Sequence, residues 1–348
     1  MNGRTGGIPW YGYVLLIALV AVTLCLCVSL GSVAVPFGDT LKATWSTLWG
    51  LAPPEGVSGA IILNVRLPRV LATALCGAAL SLCGAAMQGL LRNPLADGST
   101  LGVSSGASLG AVTALLLGLS FPGLPLAGTM VTAILFALGS LILILSLSYA
   151  ADRGMSTQTI LLMGVVFSMF ATSAISLLTA FSGEKLRSIT FWTMGSLSGA
   201  GFTEVWILLG ALVIFGGVLL SRSDELNAFA LGEDAARHMG VAVRRVKLSV
   251  LVSVAALIGI CVSIGGSIGF VGLIVPHAAR LFTGASHRRV MPLSLFMGAA
   301  FLMLADLLAR TVVSPVELPI GVVTSLVGAV AFVAIFFRRR RACWKQSG

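Results

Sequence analysis

Charged residues are scarce in this chain and make up only 10% of its 348 residues. Four of them are lysines, and none follows a glycine, so the sequence has no Gly-x-x-x-x-Gly-Lys phosphate-binding loop. Any nucleotide hydrolysis in which the chain takes part is therefore expected to belong to another subunit. The apolar segments also lack the clustered polar side chains of a catalytic site, which argues against a membrane-embedded enzyme.

Candidate metal ligands and acidic residues are equally sparse. Five of the six cysteines lie in apolar segments and the three histidines are scattered, so we predict no disulfide framework and no metal site. Twelve residues are acidic, and Asp306 is the main one inside an apolar segment. A proton- or sodium-coupled carrier is expected to contain several buried acids, so this class is kept only as an alternative.

Apolar sequence, by contrast, is abundant. The chain is 57% hydrophobic and its mean hydropathy is +1.03, which excludes a soluble domain. Because a helix needs about 20 residues to cross a ~30 Å hydrocarbon core, we predict an all-α polytopic membrane protein with about ten transmembrane helices in one domain, residues 1–348. The predicted spans are Tyr13–Leu30, Val70–Leu91, Gly98–Leu119, Ala127–Tyr149, Thr157–Phe181, Thr203–Leu220, Leu248–Ile268, Gly269–Phe282, Pro292–Arg310 and Leu318–Phe337.

Two segments depart from the pattern of full spans. Gly265, Gly266 and Gly269 precede the short eighth span without a polar loop, so this helix is expected to begin inside the membrane after a glycine-rich break. Residues Ile189–Ala200 are too short to cross, and we predict that they lie as a helix along the outer surface.

The distribution of basic residues predicts the orientation. With both termini in the cytoplasm, 6 of the 22 lysines and arginines lie outside, which agrees with the positive-inside rule. The six outer residues are Lys42, Arg66, Arg69, Lys185, Arg187 and Arg310.

One stretch, Ser221–Lys247, is polar inside an otherwise apolar sequence, and we call it the polar island. Within it a short helix is predicted to begin with Glu233 and Asp234 and to end at Arg237 and His238, so that charges complement the helix dipole at both ends. Gly240 follows as a C-terminal cap. A docking surface for a soluble partner and an ordinary solvated loop explain this charge pattern equally well.

Four hydroxyl side chains form a stripe on the fifth predicted span. Ser168, Thr172, Ser176 and Thr179 are spaced by four, four and three residues and therefore share one helix face. Such a stripe either lines a hydrated path or binds a neighbouring helix. From periodicity alone the packing interpretation is slightly favoured.

Five motifs in order along the chain carry a resemblance to a known family. The chain resembles permease subunits of the iron-chelate, heme and cobalamin uptake family, which are components of type II bacterial ABC importers. The matching residues are Arg66-Leu67-Pro68-Arg69, Arg92-Asn93-Pro94-Leu95-Ala96-Asp97, Leu231-Gly232-Glu233-Asp234-Ala235-Ala236-Arg237, Gly269-Phe270-Val271-Gly272-Leu273-Ile274-Val275-Pro276-His277 and Glu317-Leu318-Pro319-Ile320-Gly321-Val322-Val323-Thr324.

The resemblance implies the cobalamin-importer-like permease fold and a defined assembly in the bacterial inner membrane. A homodimer of twenty helices would associate with two cytoplasmic ATPases, which bind ATP and Mg²⁺, and with one periplasmic binding protein. This chain would then need no cofactor of its own, would not be an enzyme and would bind no nucleic acid. Its motion would alternate access between the two sides of the membrane.

The resemblance also implies residue roles. The pathway would follow the dimer axis between the fifth and tenth spans, which moves the hydroxyl stripe toward the lining interpretation. The cytoplasmic gates match Asn93, Leu95, Ser156 and Thr157. The ATPase-coupling residues would be Leu231, Gly232, Glu233, Asp234, Ala235, Ala236, Arg237, His238 and Gly240.

Three arginines at span ends would receive acidic side chains of the binding protein. Arg66, Arg69 and Arg310 are expected to reach the outer interface by snorkelling, where guanidinium groups suit carboxylates. Asp306 lies one helical turn before Arg310 and is a candidate internal partner for it.

For the cargo, the segment Arg187–Leu197 most resembles the heme and iron-siderophore branch, with heme preferred and cobalamin as the alternative.

Overall fold

The computed structural model describes residues 7–31, 61–119 and 127–344, and no strand occurs among them. Short π-helical turns, Ile62–Arg66 and Leu212–Gly216, precede α2 and join α7 to α8. The described helices are α1 Trp10–Ser29, α2 Leu67–Leu90, α3 Val103–Leu117, α4 Ala127–Ala151, α5 Thr157–Ala180, α6 Leu186–Thr193, α7 Phe202–Ala211, α8 Gly217–Ser221, α9 Ser223–Phe229, α10 Glu233–His238, α11 Val243–Gly265, α12 Val271–Thr283, α13 His287–Thr311 and α14 Ile320–Trp344.

Seven helical segments among the described residues are long and apolar enough to cross a membrane. They are Trp10–Ser29, Ile62–Leu90, Gly128–Ala151, Thr157–Ala180, Phe202–Ser221, Val243–Gly265 and His287–Thr311, and the shorter apolar helices are Val103–Leu117, Val271–Thr283 and Ile320–Ala334. The predicted all-helical, multi-pass class is therefore confirmed. The count of about ten spans and the single domain over residues 1–348 stay predictions.

Three of these helices, α2, α11 and α13, form the centre of the bundle. In an apolar stretch of 18 residues from each of these segments, 83%, 72% and 67% of the residues are buried, compared with 17% in α5. Glycine allows α2 to touch both α12 and α13, because a Cβ added at Gly84 would lie 1.9 Å from the carbonyl oxygen of Gly272, and one at Gly77 would lie 2.3 Å from that of Gly298. The four other span-length segments face outward along most of their surface.

The short helix α12 begins inside the bundle, as the glycine-rich break predicts. The chain leaves α11 at Gly266 with φ +68° and resumes helix at Val271. At this point Gly272 packs against Gly84 and the carbonyl oxygen of Leu80, halfway along α2. The irregular backbone of residues 266–270 is thus packed on protein.

The predicted surface helix over Ile189–Ala200 is shifted and shorter in the structure. Its observed counterpart, α6, ends at Thr193 because Gly195 adopts φ +80° and turns the chain. The following backbone then pairs with distant segments, with Ser196 N donating to the carbonyl of Gly265 at 2.9 Å. Residues 194–201 are therefore not helical.

Candidate functional site

The polar island folds into two short helices followed by the first turns of α11. The predicted helix over Glu233–His238 is confirmed as α10, with two acidic residues in its first turn and two basic residues in its last. Gly232 before it has φ +116° and Gly240 after it has φ +85°, conformations that favour glycine. Lys247 belongs to α11, which begins at Val243, five residues before the predicted start of that span.

Helix α9 fixes the island to the rest of the bundle. Its Leu226 and Phe229 are fully buried, and Asn227 Oδ1 accepts a hydrogen bond of 2.7 Å from the backbone N–H of His287. Asp224 forms an ion pair with Arg288, and this guanidinium lowers the pKa of the Asp224 carboxyl. Helix α9 is therefore held against the first turn of α13.

Helix α10, in contrast, presents a largely free surface in this chain. Leu231 and Met239, which flank the helix, are 73% and 54% exposed. The Asp234 and Arg237 side chains are 89% and 58% exposed and approach only to 3.5 Å. Among the predicted coupling residues, Ala236 is buried against the bundle. This mixed apolar and charged surface is typical of a site that contacts another protein.

Glu233 points the other way, into the bundle. Its carboxylate accepts a hydrogen bond of 2.9 Å from Thr157 Oγ1, at the first position of α5, and lies 2.8 Å from Nζ of Lys247. Lys247 also donates to the carbonyl oxygen of Met155 at 3.0 Å. Burial raises the pKa of Glu233, but the bonds from Lys247 and Thr157 outweigh it, so the pKa lies below its ordinary value.

The predicted gate residues lie in two segments, and one residue of each segment, Thr157 or Arg92, interacts with this carboxylate. Ser156 is the N-cap of α5, and its backbone N–H donates to Asp152 at 2.8 Å, which helps to lower the pKa of Asp152. In the other gate segment Asn93 Oδ1 accepts from the backbone N–H of Leu95 at 2.9 Å. Arg92 of that segment lies beside Gly232, and its charge also lowers the pKa of Glu233.

A cavity of about 250 Å³ borders the same residues. It is lined by Arg153, Gly154, Met155, Arg237, Val243, Arg244, Lys247 and Leu248. The island therefore has open space on the side where α10 meets α11.

The hydroxyl stripe lies on the least covered long helix. Thr172 and Ser176 are exposed, and Ser176 and Thr179 donate to carbonyl oxygens one turn earlier, at 3.0 Å and 2.7 Å. Ser168 Oγ is buried and has no hydrogen-bond partner among the described residues. The described helices of this chain leave the middle of the stripe open, and its role as a pathway lining stays a prediction.

The three predicted docking arginines are buried, so their expected exposure is wrong. Arg66, Arg69 and Arg310 are 5%, 8% and 3% exposed. Arg69 donates to Asp306 at 2.8 Å and to both carboxylate oxygens of Glu317, at 3.0 and 2.9 Å. Arg69 therefore has carboxylate partners within the chain and does not need to snorkel to the interface.

The other two arginines of this group cap the end of α1. Arg310 lies 3.1 Å from Asp306, the partner expected from their spacing, and donates to the carbonyl oxygen of Cys27 at 2.7 Å. Arg66 donates to the carbonyls of Val28 and Ser29, where a helix C-terminus attracts positive charge. We call Arg66, Arg69, Asp306, Arg310 and Glu317 the arginine cluster. Lys42, predicted to lie on the same side, falls outside the described residues.

Sequence reasoning missed Lys247, Arg92 and Glu317 as members of these two sites. Lys247 stands at the start of an apolar run, where a lysine ordinarily marks the membrane interface, and nothing else in the neighbouring sequence indicates its contact with Glu233.

Within the described residues, no group of three or more His, Cys, Asp or Glu side chains is arranged to hold a metal ion.

Comparison with known proteins agrees with this architecture. Residues 18–338 match the FecCD transport family. The chain belongs to that family. It is similar to an uncharacterized ABC transporter permease protein, YvrB of Bacillus subtilis, with 42% identity over 331 residues that cover 94% of each chain. The protein is thus a membrane-spanning permease of a type II ABC importer family.

The names of relatives in the family specify different transported substrates. The hemin transport system permease HmuU of Yersinia pestis is 36% identical over 98% of each chain, and the vitamin B12 import system permease BtuC of Klebsiella pneumoniae is 35% identical over 92% of each. Among solved structures, a metal-chelate type ABC transporter in an inward-facing conformation aligns with TM-score 0.82 and 31% identity, over 93% of this chain and 98% of that one.

Proposed function

We propose that this chain is the permease subunit of an ATP-driven importer that moves heme or a ferric iron chelate from the periplasm to the cytoplasm by alternating access. Two copies would work with two cytoplasmic ATPases and one periplasmic binding protein in the bacterial inner membrane, with both termini of each permease in the cytoplasm. Hydrolysis of ATP would take place in the ATPase subunits.

One observation carries this proposal beyond family membership. Helix α10 exposes its charged surface on one side and on the other contacts the first turn of α5 through Glu233 and Thr157. An element that a soluble subunit pushes is expected to have both properties. An ordinary solvated loop has no reason to place a carboxylate against the start of a membrane span.

The uncovered face of α5 supports a pathway shared between two copies. Met169 and Phe170 are 68% and 63% exposed in the same region where Thr172 and Ser176 are exposed. A span face that mixes apolar and hydroxyl side chains suits neither lipid alone nor a closed core. A second α5 across a two-fold axis would cover the apolar part and leave the hydroxyl groups along a path.

Heme stays our preferred cargo, on the resemblance of Arg187–Leu197 to the heme and iron-siderophore branch. The identities to the heme and vitamin B12 relatives, 36% and 35%, do not rank these cargoes. Cobalamin is therefore the alternative within the same mechanism. The binding protein is expected to supply most of the selectivity.

An ion-coupled secondary carrier is the alternative from another class. Its best candidate for a titrating acid inside a span is Asp306, which is 1% exposed and lies between Arg69 and Arg310. The two carboxylate oxygens of Asp306 lie 2.8 Å from the Arg69 guanidinium and 3.1 Å from the Arg310 guanidinium, so both are engaged in ion pairs within the chain. The arrangement therefore supports a structural role for Asp306.

Reconstitution in liposomes tests the proposal. The permease, its ATPase and its binding protein are assembled, and uptake of heme, a ferric siderophore and cobalamin is measured with ATP inside. The matched control carries an inactivating substitution in the ATPase. We expect uptake of one cargo that stops in this control. Uptake driven by an ion gradient without the ATPase would contradict the proposal.

A further inference from the structure

We propose that the buried ion pair between Glu233 and Lys247 is the joint through which movement of α10 reaches the first turn of α5, and that Lys247 is its positioning residue. This inference rests on the proposed function, because it takes α10 as the ATPase contact and α5 as the pathway helix. It adds a residue, Lys247, that lies outside the five sequence motifs.

Three separate segments converge on these two side chains. Glu233 is the first residue of α10, and its carboxylate accepts a hydrogen bond from the hydroxyl of Thr157, the first residue of α5. The ammonium of Lys247, in the second turn of α11, also donates a hydrogen bond to the carbonyl oxygen of Met155. Met155 has a left-handed φ of +49° and lies in the turn between α4 and α5. A displacement of Glu233 therefore acts on both the start of α5 and the turn that precedes it.

Burial makes this contact stiff. The side chains of Lys247 and Glu233 are 6% and 18% exposed, so water offers little replacement for either partner. Exposed pairs on the same element behave differently, since Asp234 and Arg237 approach only to 3.5 Å and are 89% and 58% exposed. Of the two acidic residues that begin α10, one is thus a joint and the other a surface charge.

The neighbouring gate segment reaches the same point. Arg92 lies beside Gly232, the residue before the joint, and its positive charge acts on the Glu233 carboxylate. The cavity of about 250 Å³ next to Lys247 gives the joint room to shift without collision. Both predicted gates are therefore within reach of a single movement of α10.

A set of four variants separates positioning from mere stabilisation. Glu233→Gln and Lys247→Met each leave one charged partner buried alone, which is expected to destabilise the fold. The double variant removes both charges and is therefore expected to fold even where a single variant does not. Glu225→Gln is the matched control, because it makes the same substitution on α9, in a partly exposed pair with Arg222 that lies outside the predicted coupling residues. We expect transport per ATP hydrolysed to fall by roughly tenfold in the single and the double variants, with the control close to wild type.

The movement itself is measured with spin labels at Gln158 of α5 and Met239 after α10, both exposed positions, in the complete importer. We expect one narrow distance that persists through the nucleotide cycle in the wild type and the Glu225→Gln control. In the Glu233→Gln and double variants the distribution is expected to broaden.

Two results would overturn the inference. One is a double variant that recovers wild-type transport per ATP, since the pair would then only stabilise the fold. The other is a label distance that responds identically in Glu233→Gln and in the Glu225→Gln control. Failure of the proposed function looks different: the wild type itself would show no ATP-dependent uptake of any cargo, while the label distances would still report whether the pair holds α5.

Discussion

Charge is handled in opposite ways at the two ends of α2. Where α2 begins, the arginine cluster is enclosed by the bundle, with Arg69 and Asp306 8% and 1% exposed. Where α2 ends, the polar island keeps most of its charges on the surface and buries one pair, Glu233 and Lys247. A buried network resists rearrangement, whereas a single joint beside exposed charges allows a short helix to move as a unit. We therefore assign stability to the first end and transmission to the second.

The largest effect is expected from Asp306→Asn in the arginine cluster. The substitution leaves Arg69 and Arg310 buried with one carboxylate fewer, and breaking a buried pair from one side costs about 3–5 kcal/mol. The measurement is the unfolding midpoint of the detergent-solubilised protein. Asp234→Asn, which removes an exposed charge at the other end, is the control and is expected to shift stability by about 0–1 kcal/mol. Equal unfolding midpoints for Asp306→Asn and Asp234→Asn would contradict the proposed difference between the two ends of α2.

A smaller effect is expected from Glu317→Gln, which tests whether the cluster also has a docking role. Glu317 is the member at the surface, with a side chain 37% exposed, and it occupies one side of Arg69. If this arginine receives an acidic side chain of the binding protein, Glu317 competes for it. Loss of its charge should then speed capture of the loaded binding protein by roughly threefold at low salt.

The control for this prediction is Glu225→Gln, which removes a carboxylate from a partly exposed pair with Arg222 in the polar island. Association rates at several salt concentrations distinguish the cases. An unchanged rate and salt slope for Glu317→Gln would restrict the cluster to its structural role.

The smallest effect is a pH dependence of the joint. The pKa of Glu233 is lowered in the folded protein, so its contribution to stability is complete above the ordinary value of 4.5 and is lost as the pH falls through the lowered pKa. Hydrogen exchange of the α5 amides at residues 157–160 is expected to accelerate in that acidic range. Glu233→Gln should exchange rapidly already at neutral pH, and a variant with the wild-type pH profile would contradict the assignment.

The polar island shows which features local sequence is able to predict. The bounds of α10 follow from charges that match the helix dipole and from Gly240, all within eight residues. The break before α12 likewise follows from neighbouring glycines, of which Gly266 adopts φ +68°. Information of this kind is contained in the segment itself, so the structure confirms it.

The arginine cluster shows what local sequence does not contain. Arg69 and Glu317 are 248 residues apart, and nothing near either residue indicates that they meet. An arginine at a span end has the same local pattern whether it snorkels to the interface or pairs inside the bundle. Lys247 was missed for the same reason, since its partner Glu233 was read as a surface charge of α10.

State-dependent hydration of α5 tests the central claim most directly. In a cysteine-free background, Thr172→Cys lies in the hydroxyl stripe and Trp206→Cys lies on α7, at a position 67% exposed in the chain and expected to face lipid. In the assembled importer, Thr172→Cys should react with small water-soluble thiol reagents at a rate that changes with nucleotide, while Trp206→Cys stays unreactive. If Thr172→Cys is unreactive in every nucleotide state, α5 does not line the transport path and the account is wrong.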